Sequence, residues 1–217
     1  MLLAHMVPIV RHAELHFSIR RGYPMGMPAS TDHYWTPADL AQFPEGDGNK
    51  YECIDGVLLV TPAPRVVHMA AQHALLSILA RTIDPRHGVR RVIVGTADLQ
   101  PEETAVVQPD LFVIRAPATA KTPMDDPTHV LLVAEVASPS TARTDRTRKR
   151  ALYQRAGVPE YWIVDVDART IERWTPDAQE PDIRRDRIRW TDPVTGADVA
   201  IDLPAFFASI WGESTQV

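Results

Sequence analysis

The sequence has little cysteine and no long apolar run. Its 217 residues include a single cysteine, Cys53, so no internal disulfide can form. No apolar stretch approaches the roughly 20 residues that a membrane-spanning helix needs. The first ten residues are largely apolar, but no basic segment precedes them, as a secretory signal would require. These absences predict a cytoplasmic protein with no membrane partner.

Basic residues are also in deficit. The chain carries 23 Lys and Arg against 28 Asp and Glu, a formal net charge of −5. A passive nucleic-acid binder is usually basic overall, whereas an acidic chain can still bind DNA when its bases cluster and a metal ion masks its acids. The charge therefore argues against a plain binder more than against an enzyme. Cysteine and histidine do not cluster at zinc-binding spacing, which disfavours zinc.

The remaining composition is that of a folded domain. Hydrophobic residues make up 45% of the chain, enough to build a core. Residues 1–34 show no clear periodicity and are interpreted as a loose N-terminal extension or as an overlong gene start. A single domain is predicted over 35–212, followed by a short tail at 213–217, and there are no internal repeats.

The chain pattern predicts an α/β (α+β) fold with a mixed central β-sheet flanked by helices and an N-terminal β-hairpin. Asp55-Gly56 is the hairpin signal, and the most apolar strand, 130–136, lacks alternation and is expected at the centre of the sheet. The other predicted strands are 92–94, 105–107, 111–114, 161–166, 170–174, 187–191 and 198–203. Helices are predicted from Thr36 to before Pro44 and over 66–82, 145–156 and 204–211, and a loop over 116–128.

Two acidic residues are the first candidates for chemistry. Glu135 lies inside the apolar strand, where a glutamate is rarely buried unless it is paired or binds a metal. The alternatives are an exposed strand end or an arginine partner. Asp110 follows Pro109 where a strand begins, although a turn aspartate would look the same. Together the two carboxylates predict a Mg²⁺ site, because Mg²⁺ is usually held by one or two carboxylates and water.

The basic helix supplies the next candidates. Asp145, Lys149 and Tyr153 recur every four residues and share one helix face, but a surface Asp–Lys ion pair fits the same spacing. The arginines in this helix could follow a phosphate backbone or cover a solvated face; those predicted to bind nucleic acid are Arg146, Arg148 and Arg150.

Five other residues are assigned roles from their local pattern. Glu52 lies on the same strand face as Ile54 and is a candidate additional metal ligand, whereas Asp55 is explained by its turn. His68 is assigned a capping or core-edge role. Trp162 and Trp174 are interpreted as core or hairpin residues.

Five ordered motifs support a specific resemblance. They are YECIDG at 51–56, VQPDLFV at 107–113, AEVASPST at 134–141, DRTRKRALY at 145–153 and GVPEYWIVD at 157–165. In this order they resemble the Uma family of restriction endonucleases, within the PD-(D/E)XK nuclease superfamily, over roughly 35–174. The resemblance implies a restriction-endonuclease-like fold with Asp110 and Glu135 as the motif acids. Ala137 stands where the superfamily has a lysine, and the family places that role on the helix, at Lys149.

The resemblance implies a metal-dependent endonuclease that cuts nucleic acid, with DNA as the expected substrate. Its metal is Mg²⁺, with Mn²⁺ as a substitute, held by Asp110 and Glu135 and supplemented by Glu52. Lys149 and Tyr153 complete the catalytic set, and a homodimer would present two sites to two strands. Two alternatives stay open: a catalytically silent nucleic-acid-binding or assembly module of the same fold, and a hydrolase acting on another phosphoester.

Overall fold

The computed structural model describes residues 33–44, 46–82, 91–95, 97–115 and 127–213. Most of the predicted extension, most of the predicted tail and most of the predicted loop at 116–128 lie outside these residues. Strands β1 (Lys50–Ile54) and β2 (Val57–Thr61) form the predicted hairpin. Both turn residues have positive φ, 50° at Asp55 and 78° at Gly56, as the tight turns that match strand twist require.

This hairpin belongs to a four-stranded antiparallel sheet. Its other members are β4 (Leu99–Glu102) and β5 (Ala105–Val107), and the spatial order is β2-β1-β5-β4. Strand β4 escapes prediction because it contains Pro101 and lies at the sheet edge, the position where a proline is tolerated in a strand.

The second sheet has six strands and carries the core. The strands are β3 (Arg91–Val94), β6 (Leu111–Ile114), β7 (Val130–Val136), β8 (Tyr161–Asp165), β9 (Thr170–Trp174) and β10 (Asp182–Arg184). Their spatial order is β10-β9-β8-β7-β6-β3, with β7 and β8 parallel and the other neighbours antiparallel. Every residue of β7 is buried, which confirms the central apolar strand. The short, charged edge strand β10 was not predicted.

Helix α1 (Val66–Thr82) covers one face of the six-stranded sheet. Its Ala71, Leu75 and Leu79 are buried in one cluster with Leu132 and Ala134 of β7. A two-stranded ribbon and a C-terminal helix join the same layer, and they are β11 (Arg187–Thr191), β12 (Asp198–Asp202) and α4 (Leu203–Trp211). The Asp202 side chain caps α4 by accepting the Ala205 amide at 3.0 Å.

A second helical segment lies against the opposite face of the sheet. It consists of α2 (Ala142–Thr144), a π-helical turn at Asp145–Lys149 and α3 (Arg150–Arg155). Its Leu152 and Tyr153 pack with Val133 of β7. Because strand side chains alternate between faces, Glu135 shares the face of Val133 and points toward this helical segment. Gly157, with φ of 70°, ends the segment as predicted.

The helix predicted between Thr36 and Pro44 is a 3₁₀ helix and not an α-helix. It spans Pro37–Gln42, with Thr36 at its N-cap. Within the described part of the chain, no helix is long and apolar enough to cross a membrane.

Candidate active site

Asp110 lies directly before β6, where the two sheets meet. Its Oδ1 receives the Lys50 ammonium at 2.6 Å, and its Oδ2 lies 2.9 Å from His68 Nε2. The Val136 amide at the end of β7 also donates to Oδ2, at 2.9 Å. Burial alone would raise the pKa of Asp110, but the His68 hydrogen bond and the Lys50 charge outweigh it and lower that pKa. The residue is therefore an ionised carboxylate fixed from three sides.

Glu135 is the second buried acid, with 3% of its surface exposed. Its Oε1 accepts hydrogen bonds from Lys149 Nζ at 2.9 Å and from the Tyr153 hydroxyl at 3.3 Å. Its Oε2 accepts a longer hydrogen bond from the Asp110 amide, at 3.4 Å. Burial raises its pKa to about 7, against the opposing charge of Lys149. The burial of Glu135 excludes the alternative of an exposed strand end. Its ion-pair partner is Lys149, and not an arginine as the other alternative proposed.

Lys149 joins two acids from different sheets. Its ammonium lies 2.8 Å from Glu52 Oε1 of β1 and 2.9 Å from Glu135 Oε1 of β7. Burial lowers the pKa of Lys149, but the two carboxylates raise it above its ordinary value. Only 5% of the residue is exposed, so the alternative of a surface ion pair with Asp145 is excluded.

One carboxylate oxygen of Glu52, Oε1, has two polar partners. Besides Lys149, the Gln108 amide donates to its Oε1 at 2.8 Å. Glu52 is 1% exposed, which agrees with the inward orientation predicted from its strand face.

Lys50 and His68 belong to this cluster, although the sequence did not assign them to it. His68 is half-buried, which agrees with a core-edge position, but its imidazole also contacts Asp110 inside the cluster, a role that was not predicted. Its spacing from the buried Ala71 and Leu75, three and seven residues on, was a signal that it faces inward. Lys50 could have been found from strand alternation, since it lies two residues before Glu52 on the same face.

Asp145 is a further buried acid in the π-helical turn. It is 2% exposed, and its Oδ2 has no hydrogen-bond partner among the described residues. Burial raises its pKa well above the ordinary value, although the charge of Lys149 opposes this. A buried carboxylate without a full set of partners costs free energy, and π-helical turns often occur at functional sites.

These side chains line a cavity of about 390 Å³. The carboxylates in its wall are Glu52, Asp110, Glu135 and Asp145, and the basic side chains are Lys50, Arg65, His68 and Lys149. Proline-rich and hydroxyl-rich segments, 61–64 and 138–141, complete the lining. The cavity wall therefore combines four carboxylates with four basic side chains.

The donor set fits a hard divalent cation better than zinc. Across the described ranges, no group of three or more His, Cys, Asp and Glu side chains is arranged to hold a metal ion. Asp110 and Glu135, linked by the Asp110 amide, remain as a carboxylate pair. One or two carboxylates with water are the usual protein share of a Mg²⁺ site, whereas structural zinc requires four ligands. Glu52 as an additional ligand stays a prediction.

The arginines of the helical segment differ in their surroundings. Arg146 donates to Glu172 at 2.7 Å and to Asp165 at 3.1 Å. Arg150 donates to Gln154, and its guanidinium lies 4.9 Å from the centre of the Trp174 ring. Arg148 is exposed. Their contact with nucleic acid stays a prediction. Trp162 and Trp174 are buried, as their assignment to the core and hairpin requires.

Comparison with known proteins connects this geometry to one family. Residues 37–203 match the Uma2 family, described as "Putative restriction endonuclease". The crystal structure of a putative nuclease of the DUF820 group from Anabaena variabilis is similar in fold, with a TM-score of 0.65 and 18% sequence identity. The similarity covers 81% of this chain and 99% of that one. No curated protein matches the chain.

Proposed function

The chain belongs to the Uma2 family of putative restriction endonucleases, and we propose that it is a divalent-metal-dependent endonuclease that hydrolyses phosphodiester bonds of DNA. The observation that carries the proposal is the meeting of Asp110, Glu135 and Lys149 in one cavity, with Lys149 Nζ 2.9 Å from Glu135 Oε1. A module that only bound nucleic acid would gain nothing from buried acids facing a phosphate.

Asp110 and Glu135 would hold the cation, Mg²⁺ or Mn²⁺, and Glu52 is an additional candidate ligand. When bound, such an ion supplies a water of lowered pKa and polarises the phosphate oxygen. The chain contributes the positions of the two carboxylates. Val136 and His68 fix Asp110 through hydrogen bonds of 2.9 Å each, and the strand order fixes Glu135 beside it.

Lys149 acts as a hydrogen-bond donor in this proposal. Its ammonium already donates to two carboxylates, so the side chain is protonated in this arrangement. A buried ammonium can orient the attacking water or stabilise the negative charge that develops on the phosphate. The Tyr153 hydroxyl shares Glu135 Oε1 with Lys149 and positions that oxygen.

The test is cleavage of supercoiled plasmid DNA with Mg²⁺, Mn²⁺ or EDTA. The near-isosteric variants Asp110→Asn and Glu135→Gln, and Lys149→Met, are compared with Glu160→Gln as matched control. Glu160 is a buried carboxylate that accepts from Trp162 and Arg173 outside the cavity. Metal-dependent cutting that is lost in the first three folded variants and kept in the control is the expected result.

One observation favours a second candidate, a silent nucleic-acid-binding or assembly module. Lys50, His68 and Lys149 already contact the acid oxygens that a metal would need. A wild-type protein that binds DNA but does not cut it in either metal would support this candidate. Cutting that survives in Glu135→Gln would contradict the proposed site.

A further inference from the structure

The basic side chains that line the cavity fall into two groups, those that contact a carboxylate of the site and one that does not. Among the described residues that line it, Lys50 and His68 contact Asp110, and Lys149 contacts Glu52 and Glu135. These three side chains form ion pairs with the carboxylates, which compensate their charge within the site. Arg65 differs, because it lines the same cavity without contacting those acids.

Arg65 is held only weakly by its surroundings. Its guanidinium lies 3.9 Å from Asp167, and the two side chains are 60% and 62% exposed. An ion pair this open contributes little to stability, because solvent screens it and both side chains lose entropy in forming it. The guanidinium is therefore free to exchange Asp167 for a stronger anion.

Arg65 is also close in sequence to His68, the residue of α1 that contacts Asp110. The Met69 amide donates to the Arg65 carbonyl at 3.1 Å, so the first turn of α1 begins at Arg65. His68 follows three residues later, which brings the Cβ atoms of the two residues within about 6 Å. Since His68 contacts Asp110 at 2.9 Å, Arg65 stands one helical turn from the proposed cleavage centre.

From this placement we infer that Arg65 binds a backbone phosphate of the substrate strand beside the phosphate that is cut. The inference rests on the proposed nuclease function and deepens it by naming a substrate contact. A guanidinium presents two parallel N–H donors to two phosphate oxygens, which a lysine cannot do. The contact is to the phosphate and not to a base, so it carries no sequence preference.

The variant Arg65→Ser tests the contact without threatening the fold. Arginine at the start of a helix opposes the helix dipole, and serine is a favoured N-cap residue. The unfolding temperature of Arg65→Ser should therefore equal or exceed that of the wild type. Arg184→Ser removes the same charge from β10, at an exposed arginine outside the cavity lining, and is the matched control.

The experiment is fluorescence anisotropy of labelled single-stranded and double-stranded oligonucleotides with Ca²⁺ in place of Mg²⁺, across a range of KCl concentrations. Arg65→Ser should weaken binding about tenfold at low salt. The slope of log K against log salt should become less negative by about one. Arg65→Lys should keep the wild-type slope while binding less tightly, because the charge remains and the paired donors are lost.

The outcomes separate this inference from the proposed function. If the wild type cuts DNA and Arg65→Ser binds with the same affinity and salt slope as Arg184→Ser, the inference is wrong and the nuclease stands. If the wild type neither binds nor cuts either oligonucleotide, both are wrong. A loss of affinity in Arg65→Ser that leaves the salt slope unchanged would also overturn the phosphate contact, because it would indicate a structural effect.

Discussion

The ammonium of Lys149 lies between the carboxylates of Glu52 and Glu135, 2.8 Å from one and 2.9 Å from the other. The two acids come from different sheets, so this one side chain connects the N-terminal hairpin to the central strand of the core. It offsets the cost of burying both acids. Stability and the proposed catalysis therefore depend on the same lysine side chain.

Lys149→Met should destabilise the protein by about 3–5 kcal/mol, because it leaves two buried carboxylates without their cation. Adding Glu52→Gln and Glu135→Gln should restore part of the free energy of unfolding without restoring cleavage. Urea denaturation followed by tryptophan fluorescence measures the first quantity, and plasmid cutting measures the second. A single variant as stable as the wild type would contradict the buried bridge.

Metal binding should stabilise the folded chain through Asp110 and Glu135. A ligand at about 100 times its Kd adds about 2.7 kcal/mol to the free energy of unfolding. We expect Mg²⁺ or Mn²⁺ to raise the Tm of the wild type, and EDTA to reverse the change. The increase should be absent in Asp110→Asn and Glu135→Gln and unchanged in Glu160→Gln. An equal increase in all four proteins would place the metal elsewhere.

His68 should act on cleavage through Asp110. His68→Ala removes the contact to Asp110 Oδ2, and loss of such a supporting contact typically lowers metal affinity or activity about 10- to 100-fold. The metal concentration needed for half-maximal cutting should rise. His73→Ala is the control, because His73 lies on the same helix but is exposed and contacts the Met69 carbonyl. Identical metal titrations for the two variants would exclude a positioning role for His68.

Glu160 should make stability depend on pH. Burial raises its pKa, although Trp162 and Arg173 oppose the change. The pKa of Glu160 is therefore higher in the folded protein than in the unfolded chain, where it is about 4.3. Its contribution to stability is fully present below the unfolded pKa and is lost as the pH rises through the folded pKa. Wild type should therefore lose stability relative to Glu160→Gln as the pH rises above about 4. Parallel stability curves for the two proteins would contradict the shift.

The arginines of the helical segment should separate into two roles. Arg146→Ala should cost about 1 kcal/mol of stability, since its guanidinium joins Asp165 and Glu172. Arg148→Ala should leave stability unchanged and weaken oligonucleotide binding, because Arg148 is exposed. Denaturation and anisotropy on the same preparations measure both effects. A loss of affinity confined to Arg146→Ala would reverse the assignment.

The sequence predicted the acids of the site better than its cations. Glu135 was identifiable because a charge inside an apolar strand is costly without a partner, and the family motifs implied Asp110 and Lys149. The contacts of His68 and Lys50 with the site were not predicted, because their partner, Asp110, is 42 and 60 residues away in the chain. A local pattern shows which face a residue takes, but it does not show what the opposite element places there.

Prediction of the fold has a different limit, which lies in the composition of single strands. The hairpin at Asp55-Gly56 and the buried strand β7 follow from local rules, since a positive-φ turn and an unbroken apolar run each favour one structure. The edge strands β4 and β10 contain Pro101 and charged residues, respectively, which normally disfavour strands. Each pairs with the strand adjacent to it in sequence, β4 with β5 and β10 with β9, so these pairings are local and the strands were missed because of their composition.

The parallel pairing of β7 with β8 has a consequence for how the protein is made. A parallel pair needs a long connection, and here the helical segment carrying Lys149 is that connection. Glu135 is synthesised before Lys149, and β8 after both. Non-local pairings of this kind form late, because the loop must close before its contacts stabilise it. A nascent chain that ends before β8 therefore contains every proposed catalytic side chain without the site, so we expect activity to appear only after that strand has joined the sheet.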